Sequence, residues 1–443
     1  MQTFSKNKWL TLILFGMIGQ IAWSVENMYF NLFVFETIEP NLKAITLMVQ
    51  LSGIAATFVT LIAGALSDKL GNRRTFISVG YIIWGITVAL FGLISPELFE
   101  KLFGLEGQSA IKAALVTVIV GDCIMTLFGS TSNDAAFSAW VTDNTSSDNR
   151  GKIESIVAIL PLAAMLIVAG GFGILVGLIG YPALFISLGA VITLSGVYGI
   201  FSVKDSARLE KSGTLRDMLD GFRPSSVMRN KPFYLSLVIL CIYGIACQIF
   251  MPYLIIYMKT YLSFSVVEYS IVFGLAIILG AVINVFLGKL SDKRSKITSI
   301  YAAAAVFALG LLLMFFFKDM SHTATLILFG IAGFIMITGY IYISALTGAL
   351  VRDYTPLKDT GKLQGVRMIF SVLIPMLVGP TVGNAINAAK NIPLPNAGAD
   401  AMTTLYIPAP EIFLTAALVS LLIYAIVPIL NKTDKNFKKD IDN

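Results

Sequence analysis

The segment GALSDKLGNRR, residues 64 to 74, separates two long apolar runs and sets glycine, acidic and basic residues at a fixed spacing. Gly64 lets a neighbouring helix approach closely because it has no Cβ atom, and Gly71 permits a tight turn for the same reason. The carboxylate of Asp68 can accept hydrogen bonds from helix N-terminal amides or pair with a cation. The basic residues of the segment are Lys69, Arg73 and Arg74. They suit water beside an anionic leaflet, so the segment predicts a cytoplasmic loop between two membrane helices.

The rest of the chain has the composition of a membrane protein. Its 443 residues are 56% hydrophobic and only 13% charged, with a mean hydropathy of +0.82. A soluble domain carries about 25% charged residues, because ionised side chains are costly in hydrocarbon but not in water. A spanning helix takes about 20 apolar residues, so roughly a dozen helices fill this length and leave no room for a sizeable soluble domain. The cysteines Cys123, Cys241 and Cys247 lie within apolar runs and are expected to be buried small hydrophobes.

Twelve apolar runs follow one another, and a polar stretch of nearly 30 residues separates the sixth run from the seventh. The runs lie at 9–36, 42–66, 74–94, 109–141, 152–178, 181–202, 231–258, 264–290, 297–317, 322–350, 363–388 and 409–430. This pattern predicts an all-α membrane protein with twelve transmembrane helices in two six-helix bundles. The predicted bundles are residues 1–202 and 231–430, joined by a cytoplasmic linker at 203–230 and followed by a cytoplasmic tail at 431–443.

The distribution of basic residues predicts the orientation. With the N-terminus inside, the predicted inner segments hold 26 of the 32 lysines and arginines, and the outer segments hold the other six. Such an excess is typical of cytoplasmic loops, so both termini are predicted to be cytoplasmic. The same bias accounts for the formal net charge of +6 without a nucleic-acid partner. The protein is expected in the cell membrane, as a multi-pass protein.

The two halves repeat their loop sequences. The segment from Gly64 is echoed by GKLSDKRSK at 288–296, and AWVTDNTSSDNRGKIESI from Ala139 is echoed by ALVRDYTPLKDTGKLQGV from Ala349. In the second pair Asp143 matches Asp353. Repeats in the same order indicate a parallel duplication, as expected of a transporter whose halves rock about a central site.

The segment from Gly64 matches the signature G-x-x-x-D-[RK]-x-G-x-[RK]-[RK], and the chain therefore resembles the major facilitator superfamily. The resemblance implies that this loop latches the two halves together on the inner side when the transporter faces outward. The sequence DNTSSDNRGK after the fourth run resembles sugar–cation symporters of the glycoside-pentoside-hexuronide group and the related sucrose-transporter-like branch. Those symporters often carry paired aspartates in helix two as a cation site, whereas residues 42–66 contain no acid. A proton is therefore favoured over sodium as the coupling ion.

Two predicted helices carry polar residues at helical spacing, one set in the first run and one in the fourth. The sets are Gln20, Ser24, Asn27 and Asn31, and Asp122, Thr126, Ser130 and Asn133. Polar stripes of this length suit a wet cavity and a polyhydroxylated solute, with Trp23, Tyr29 and Trp140 as stacking surfaces. The alternative is hydrogen bonding between packed helices. The candidate substrate-binding residues are Gln20, Trp23, Ser24, Asn27, Asn31, Asp122, Thr126, Asn133, Tyr243 and Gln248.

Two acids are predicted to lie deep in the membrane, Glu26 in the first run and Asp122 in the fourth. Glu26 lies well away from the polar stripe of its own helix, so it either couples a proton in a side pocket or is paired structurally with a neighbouring helix. Asp122 is expected to bind substrate or proton, and the resemblance agrees, since sugar symporters carry acids in helices one and four that contact sugar. The second half has no deep acid, and His322 is expected in solvent at the edge of a loop.

The predicted function is secondary active transport of a small polar solute, a sugar or glycoside, by alternating access with proton symport at Glu26 and Asp122. An exporter, antiporter or uniporter of another small organic solute is the alternative on the same fold. No G-x-x-x-x-G-K-[ST] loop is present, which argues against a primary pump. A nucleophile–base set or metal ligands at membrane depth are lacking in the sequence, so no enzyme, metal or cofactor is expected. The expected partners are the solute, the coupling cation and the lipid bilayer, with the protein acting as a monomer.

Overall fold

The structure is a computed structural model that describes residues 5–145, 150–205, 223–292, 295–317, 320–355, 360–394 and 405–442. These residues are almost entirely helical, as predicted, and the chain divides into two compact units, Met1–Leu215 and Arg216–Asn443. Each unit contains its own buried apolar core.

The N-terminal unit consists of long helices and one short one. They are α1 (Lys6–Val25), α2 (Leu42–Leu70), α3 (Arg73–Phe91), α4 (Pro96–Phe103), α5 (Gln108–Gly129), α6 (Arg150–Ile167) and α7 (Gly173–Ser202). Helix α1 continues through Ile38 and α5 through Asp143. In this unit α5 packs against α2 and α3, α1 packs against α6, and α3 packs along α7.

Several of these helices change from α to π geometry, in which each turn holds an extra residue. The π segments are Glu26–Phe30 and Val34–Ile38 after α1, Ser130–Phe137 after α5, and Val168–Phe172 after α6. A π turn shifts every later side chain around the helix axis, so spacing rules for an ideal α-helix fail beyond it. Segments of this kind often occur at functional sites.

The C-terminal unit has a similar series of helices. They are α8 (Pro224–Arg229), α9 (Lys231–Phe250), α10 (Leu254–Thr260), α11 (Val266–Asp292), α12 (Lys296–Phe315), α13 (His322–Asp353), α14 (Thr360–Met368), α15 (Ile374–Lys390), α16 (Glu411–Leu421) and α17 (Ile423–Asp442). A 3₁₀ turn at Met251–Tyr253 joins α9 to α10, and a π segment at Ile369–Leu373 joins α14 to α15. A small antiparallel ribbon pairs β1 (Ile392–Pro393) with β2 (Tyr406–Ile407).

Eleven helical segments within the described ranges are long and apolar enough to cross a membrane. One of them, Ile156–Ser202, has 47 residues. At about 1.5 Å per residue it would be about 70 Å long, more than twice the roughly 30 Å hydrocarbon core. Its length therefore requires a break.

The break lies at Gly180, where φ is 77° and ψ is 166°, and Pro182 follows two residues later. A residue with a Cβ atom adopts this conformation only at a cost, which explains the glycine. Before this point, successive residues contact the first helix at increasing residue numbers, and after it they contact that helix at decreasing numbers. The pairs are Leu160 with Gly16, Phe172 with Tyr29, Tyr181 with Glu36, Phe185 with Phe33, and Gly199 with Phe15. The chain thus reverses direction at Gly180 and passes α1 twice.

Candidate functional site

Glu26 stands where α1 gives way to its first π segment, and its side chain points into the N-terminal unit. Only 9% of the residue is exposed. The hydroxyl of Thr126 on α5 donates a hydrogen bond of 3.1 Å to Oε1 of Glu26. The sequence left two alternatives for this acid, and its contact with α5 shows that it faces a neighbouring helix.

Asp122 lies one helical turn before Thr126, on the same face of α5, and is 1% exposed. The hydroxyl of Ser52 on α2 lies beside Asp122 as a hydrogen-bonding group and also donates to the carbonyl of Val49 at 3.1 Å, and the charge of Asp122 acts on Glu26. Three helices thus contribute one group of polar side chains, which we call the carboxyl cluster: Glu26, Ser52, Asp122 and Thr126. The cluster lies wholly inside the N-terminal unit.

The carboxyl cluster has unused hydrogen-bonding capacity. Oε2 of Glu26 and Oδ1 of Asp122 are buried, and neither has a hydrogen-bond partner among the described residues. The charged groups that act on Glu26 are Asp122 and Asp134, and both are acids. Ionised carboxylates without a counter-charge are costly to bury, and two adjacent ones repel each other. The arrangement is therefore suited to hold a proton or a small cation.

A further acid, Asp134, lies twelve residues after Asp122 in the continuation of α5. In the π segment Ser130–Phe137, Oγ of Ser130 donates to Oδ2 of Asp134 at 3.0 Å. The neighbouring Asn133 contacts α3 instead, with its Oδ1 atom 2.9 Å from the hydroxyl of Tyr81. That hydroxyl also lies 2.7 Å from the carbonyl of Phe15, and its single proton can serve only one of the two acceptors at a time.

The predicted stripe on α5 is buried in this structure, and its role in lining a wet cavity stays a prediction. Thr126, Ser130 and Asn133 are all buried between α5 and the helices of the same unit. Gly19 makes this packing possible, because a Cβ atom there would lie 2.5 Å from Oδ1 of Asn133. The alternative of hydrogen bonding between packed helices describes Asn133 better.

The predicted stripe on α1 is more open. Gln20 and Ser24 are half-buried and Asn27 is exposed. Asn31 is buried, and its side-chain amide donates to the carbonyl of Asn27 at 3.0 Å. The side chain of Asn27 likewise donates to the carbonyl of Trp23. Accessible polar groups on this helix therefore lie mainly at Gln20, Ser24 and Asn27.

The aromatic residues proposed as stacking surfaces are largely used in packing. Trp23 lies against Trp84 with ring centroids 5.0 Å apart. Tyr29 is fully buried beside Phe172, and Trp140 is buried with its indole N–H donating to a backbone carbonyl near the end of α7. Half-buried Trp23 is the one of the three that keeps accessible surface.

In the C-terminal unit, the two candidate residues on α9 contact other helices. The hydroxyl of Tyr243 donates to the carbonyl of Tyr340 on α13 at 3.2 Å. Gln248 lies against α15, where a Cβ atom at Gly379 would be 2.4 Å from its own Cβ atom. Neither residue lies beside an acid in the described part of this unit, and no group of three His, Cys, Asp or Glu residues in the described ranges could hold a metal ion.

The loop that carries the signature is held to the ends of other helices of the same unit. Nε of Arg73 lies 3.1 Å from Oδ2 of Asp143, and Nη1 of the same residue donates to Ser67. The backbone N–H of Arg74 donates to Asp205 at 3.0 Å, and its guanidinium donates to the carbonyl of Ile200. Gly71 ends α2 in the left-handed conformation, with φ of 63°, as expected of a glycine turn.

The other residues of the signature behave differently. Lys69 is exposed, as expected for a residue in water. The side chain of Asp68 lies outside the described part of the chain. The expectation of a close helix contact at Gly64 is corrected: a Cβ atom built there meets open space within 4 Å among the described residues.

Sequence reasoning missed three participants: Ser52, Tyr81 and Asp134. Asp134 follows Ser130 by four residues, so its place beside the polar stripe was a usable signal. Ser52 and Tyr81 stand alone in apolar runs, and nothing in the spacing of their neighbours indicates a role.

Comparisons with known proteins agree with this architecture. The Major Facilitator Superfamily profile matches residues 9–380. The structure of the nucleoside transporter NupG, in a mutant form, superimposes with a TM-score of 0.69 at 11% identity, covering 95% of this chain and 99% of that one. A bacterial homologue of the human lysosomal transporter Spinster gives 0.66 at 13% identity, covering 98% and 99%. A bacterial homologue of the iron transporter ferroportin gives 0.61 at 15% identity, covering 95% and 98%.

No curated protein matches the chain in a sequence search. The structural similarities are below 25% identity and establish the fold, whereas the profile match extends over most of the sequence. The chain belongs to the Major Facilitator Superfamily, and it is a multi-pass membrane transporter of small solutes.

Proposed function

We propose that this protein is a proton symporter that carries a small polar solute, a sugar or glycoside, across the cell membrane by alternating access. The carboxyl cluster is its proton site. The supporting observation is the buried pair Glu26 and Asp122, with one unpartnered oxygen on each carboxyl among the described residues and with acids as the charged groups that act on Glu26.

The proposed topology has twelve spans, with both termini in the cytoplasm. The reversal at Gly180 supports the count, because it divides the 47-residue segment Ile156–Ser202 into two lengths that can each cross a bilayer. The basic residues support the orientation, since 26 of 32 fall in the segments that this topology assigns to the inner side.

Protonation of the carboxyl cluster links ion binding to reorientation. With both carboxyls ionised, the cluster carries two like charges in a poorly solvated site, and a transition that dehydrates it further is opposed. A proton removes one of these charges, and the carboxylate that stays ionised keeps its own neighbouring hydroxyl, which is Thr126 for Glu26 and Ser52 for Asp122. The loaded carrier can then change conformation. The oxygens could also bind sodium, but a proton needs only the two carboxyls.

The exposed part of the α1 stripe supports a polar solute. Gln20 and Asn27 offer amide groups and Ser24 offers a hydroxyl, and groups of these types both donate to and accept from sugar hydroxyls. Half-buried Trp23 adds an apolar surface for the face of a sugar ring. The similarity to a nucleoside transporter makes nucleosides, which carry a ribose, the first solutes to test beside free sugars.

The loop 64–74 is proposed to act as a gate on the inner side. The ion pair between Arg73 and Asp143 fixes the loop to the end of α5, the helix that carries Asp122 and Thr126. A change in the tilt of α5 would therefore be transmitted to the loop through a short, rigid connection.

The test is uptake into proteoliposomes, with labelled monosaccharides, glycosides, disaccharides and nucleosides offered with and without an inward proton gradient. A sodium gradient at constant pH forms a separate arm. We expect one solute class to accumulate with the proton gradient and not with the sodium gradient. Glu26→Gln and Asp122→Asn should each lose accumulation.

Glu36→Gln is the matched control, because Glu36 is an exposed acid on the same helix and its bond to Tyr181 survives in the amide. It should accumulate solute like the unaltered protein. Accumulation that persists in both cluster variants would refute the proton site. Accumulation driven by the sodium gradient alone would show that sodium, and not the proton, is the coupling ion. Solute efflux that is driven by an inward proton gradient would favour the antiporter alternative.

A further inference from the structure

A groove on the C-terminal unit lies apart from the carboxyl cluster and takes no part in the proposed coupling. It runs between α11 and α13 and encloses about 340 Å³. Its walls include Ile271, Leu275, Leu279, Ile327, Ile331 and Phe334, and the single ionisable residue along it is Glu268, at one end. Gly330 deepens it, since a Cβ atom there would lie 3.8 Å from the side chain of Val272.

The length of the groove matches one leaflet of a bilayer. From Glu268 to Leu279, α11 rises by about 16 Å at about 1.5 Å per residue. Half of the hydrocarbon core is about 15 Å. Ile271 is 54% exposed and Ile331 is 50% exposed, so the groove opens sideways to lipid and not into the unit. A straight apolar chain one leaflet long fits these dimensions.

The mouth of the groove is polar and well ordered. Ser265 and Glu268 form a capping box at the start of α11: the Ser265 N–H donates to Oε2 of Glu268 at 2.8 Å, and the Glu268 N–H donates to Oγ of Ser265. Oε1 of Glu268 lies 2.8 Å from Nε2 of His322, at the start of α13. The expectation that His322 is merely solvated is therefore corrected, because it bridges the two helices that form the groove.

We infer that the α11–α13 groove binds one acyl chain of a phospholipid whose amine headgroup contacts Glu268. The carboxylate can accept further hydrogen bonds, because each oxygen offers two lone pairs and one protein partner occupies each. A primary ammonium donates three hydrogen bonds, whereas a quaternary ammonium donates none. In the proposed topology this lipid lies in the outer leaflet.

An ordinary lipid at the protein surface exchanges freely, whereas a chain in this groove is held at two points. The apolar walls remove the chain from contact with other lipids, and the headgroup contact fixes its depth. The proposal therefore requires both a shape-dependent and a charge-dependent component of binding, and the two can be separated by substitution.

The test is native mass spectrometry of the full-length protein after delipidation and titration with phosphatidylethanolamine, phosphatidylcholine or phosphatidylglycerol. We expect one phosphatidylethanolamine to bind roughly tenfold more tightly than the other two, the factor expected of one hydrogen bond to a charged group. Gly330→Leu, which fills the groove, should lose this bound lipid. Glu268→Gln keeps the capping box and should bind all three lipids about equally.

Leu309→Phe is the control, since Leu309 is exposed on α12 outside the groove, and it should behave like the unaltered protein. If Gly330→Leu lowers the melting temperature, the location is read instead from phosphatidylethanolamine with a photoreactive acyl chain on the unaltered protein. Labels confined to α11 and α13 support the proposal. Equal labelling of α12, or undiminished binding by a folded Gly330→Leu protein, would overturn it.

Discussion

The two units repeat one architecture and differ in their chemistry. Each ties the start of one helix to the end of another by an ion pair: Arg73 to Asp143 at 3.1 Å in the first unit, and Lys296 to Asp353 at 2.6 Å in the second. Counted back 21 residues along the sequence from these paired aspartates, the first unit has Asp122 and the second has Ala332, and only the first of these two stretches includes a π segment. Both positions are buried. Both units thus have an ion pair at these positions, whereas of the two buried positions only that in the first unit carries an acid.

The helices at these positions also differ in regularity. The described part of α13 is a regular α-helix from His322 to Asp353, whereas the corresponding helix of the first unit passes through the π segment Ser130–Phe137. The second unit also has a contact between two tyrosines, Tyr243 on α9 and Tyr340 on α13, whose ring centroids are 5.6 Å apart. Under the proposed function, proton coupling is therefore expected to depend on the carboxyl cluster of the N-terminal unit.

The largest expected effect comes from the acid itself. Asp122→Asn should reduce proton-driven accumulation to background, because the amide cannot take up a proton, yet it should not lower the melting temperature, since no cation is left unpaired. Ala332→Ser at the corresponding position of the second unit should leave accumulation intact. Uptake assays and thermal melting in detergent check both variants. Equal loss of uptake in the two would contradict the claim that only the first unit carries the coupling acid.

Moving the acid to the other unit should destabilise the protein. Ala332→Asp places a carboxyl at a position that is 1% exposed, and the cost of a charged residue at membrane depth is about 2.5–3.5 kcal/mol on insertion scales. A lower melting temperature at neutral pH, partly restored in acid where the carboxyl is neutral, is the expected result. Ala332→Val controls for size, and a stable Ala332→Asp protein would mean that the second unit can hold a buried acid after all.

The ion pairs Arg73–Asp143 and Lys296–Asp353 should contribute unequally to stability. The side chain of Arg73 is 6% exposed and that of Lys296 is 40% exposed. Arg73→Met should lower the free energy of unfolding by about 1.5–3 kcal/mol, because a buried hydrogen bond to a charged group is lost. Lys296→Met should cost less than about 1 kcal/mol, as expected of a surface pair. Thermal melting of the two variants at low and high salt measures both losses of stability. Equal losses would contradict the prediction that the buried pair contributes more than the exposed one.

The smallest effect is expected at the tyrosine pair. Tyr243→Phe removes the hydrogen bond to the carbonyl of Tyr340 but keeps the ring contact. It should lower stability by about 0.5–1.5 kcal/mol and leave the number of protons carried per solute unchanged. A changed proton count, measured with a pH-sensitive dye, would give the second unit a part in coupling.

Much of this architecture could be predicted from the sequence. Apolar run lengths indicated the helices, and the absence of Glu26 from the polar stripe of α1 indicated that it faces a neighbour, which it does at Thr126. Positions beyond Glu26 were less predictable, because a π turn depends on tertiary contacts and displaces later side chains such as Asn31. For the same reason the spacing on α5 gave no warning that Asn133 turns toward Tyr81.

Burial was the second limit. A polar stripe has the same spacing whether it lines a cavity or packs against helices, and only the neighbouring helices decide between the two. Gly19 illustrates this, since its missing side chain leaves room for Asn133, and no rule of spacing connects two residues so distant in sequence. Ser52 likewise belongs to the carboxyl cluster through tertiary packing, although the sequence around it is mostly apolar and gave no sign of this.

The most direct test of the central claim is solute-driven proton movement, recorded with a pH-sensitive dye inside proteoliposomes and compared between the unaltered protein and Glu26→Gln. A solute gradient should drive protons inward through the unaltered protein. In Glu26→Gln the same gradient should move solute without protons, because the amide keeps its bond to Thr126 but cannot be protonated. Proton influx that persists at the same ratio to solute would show that coupling lies outside the carboxyl cluster and would contradict the account.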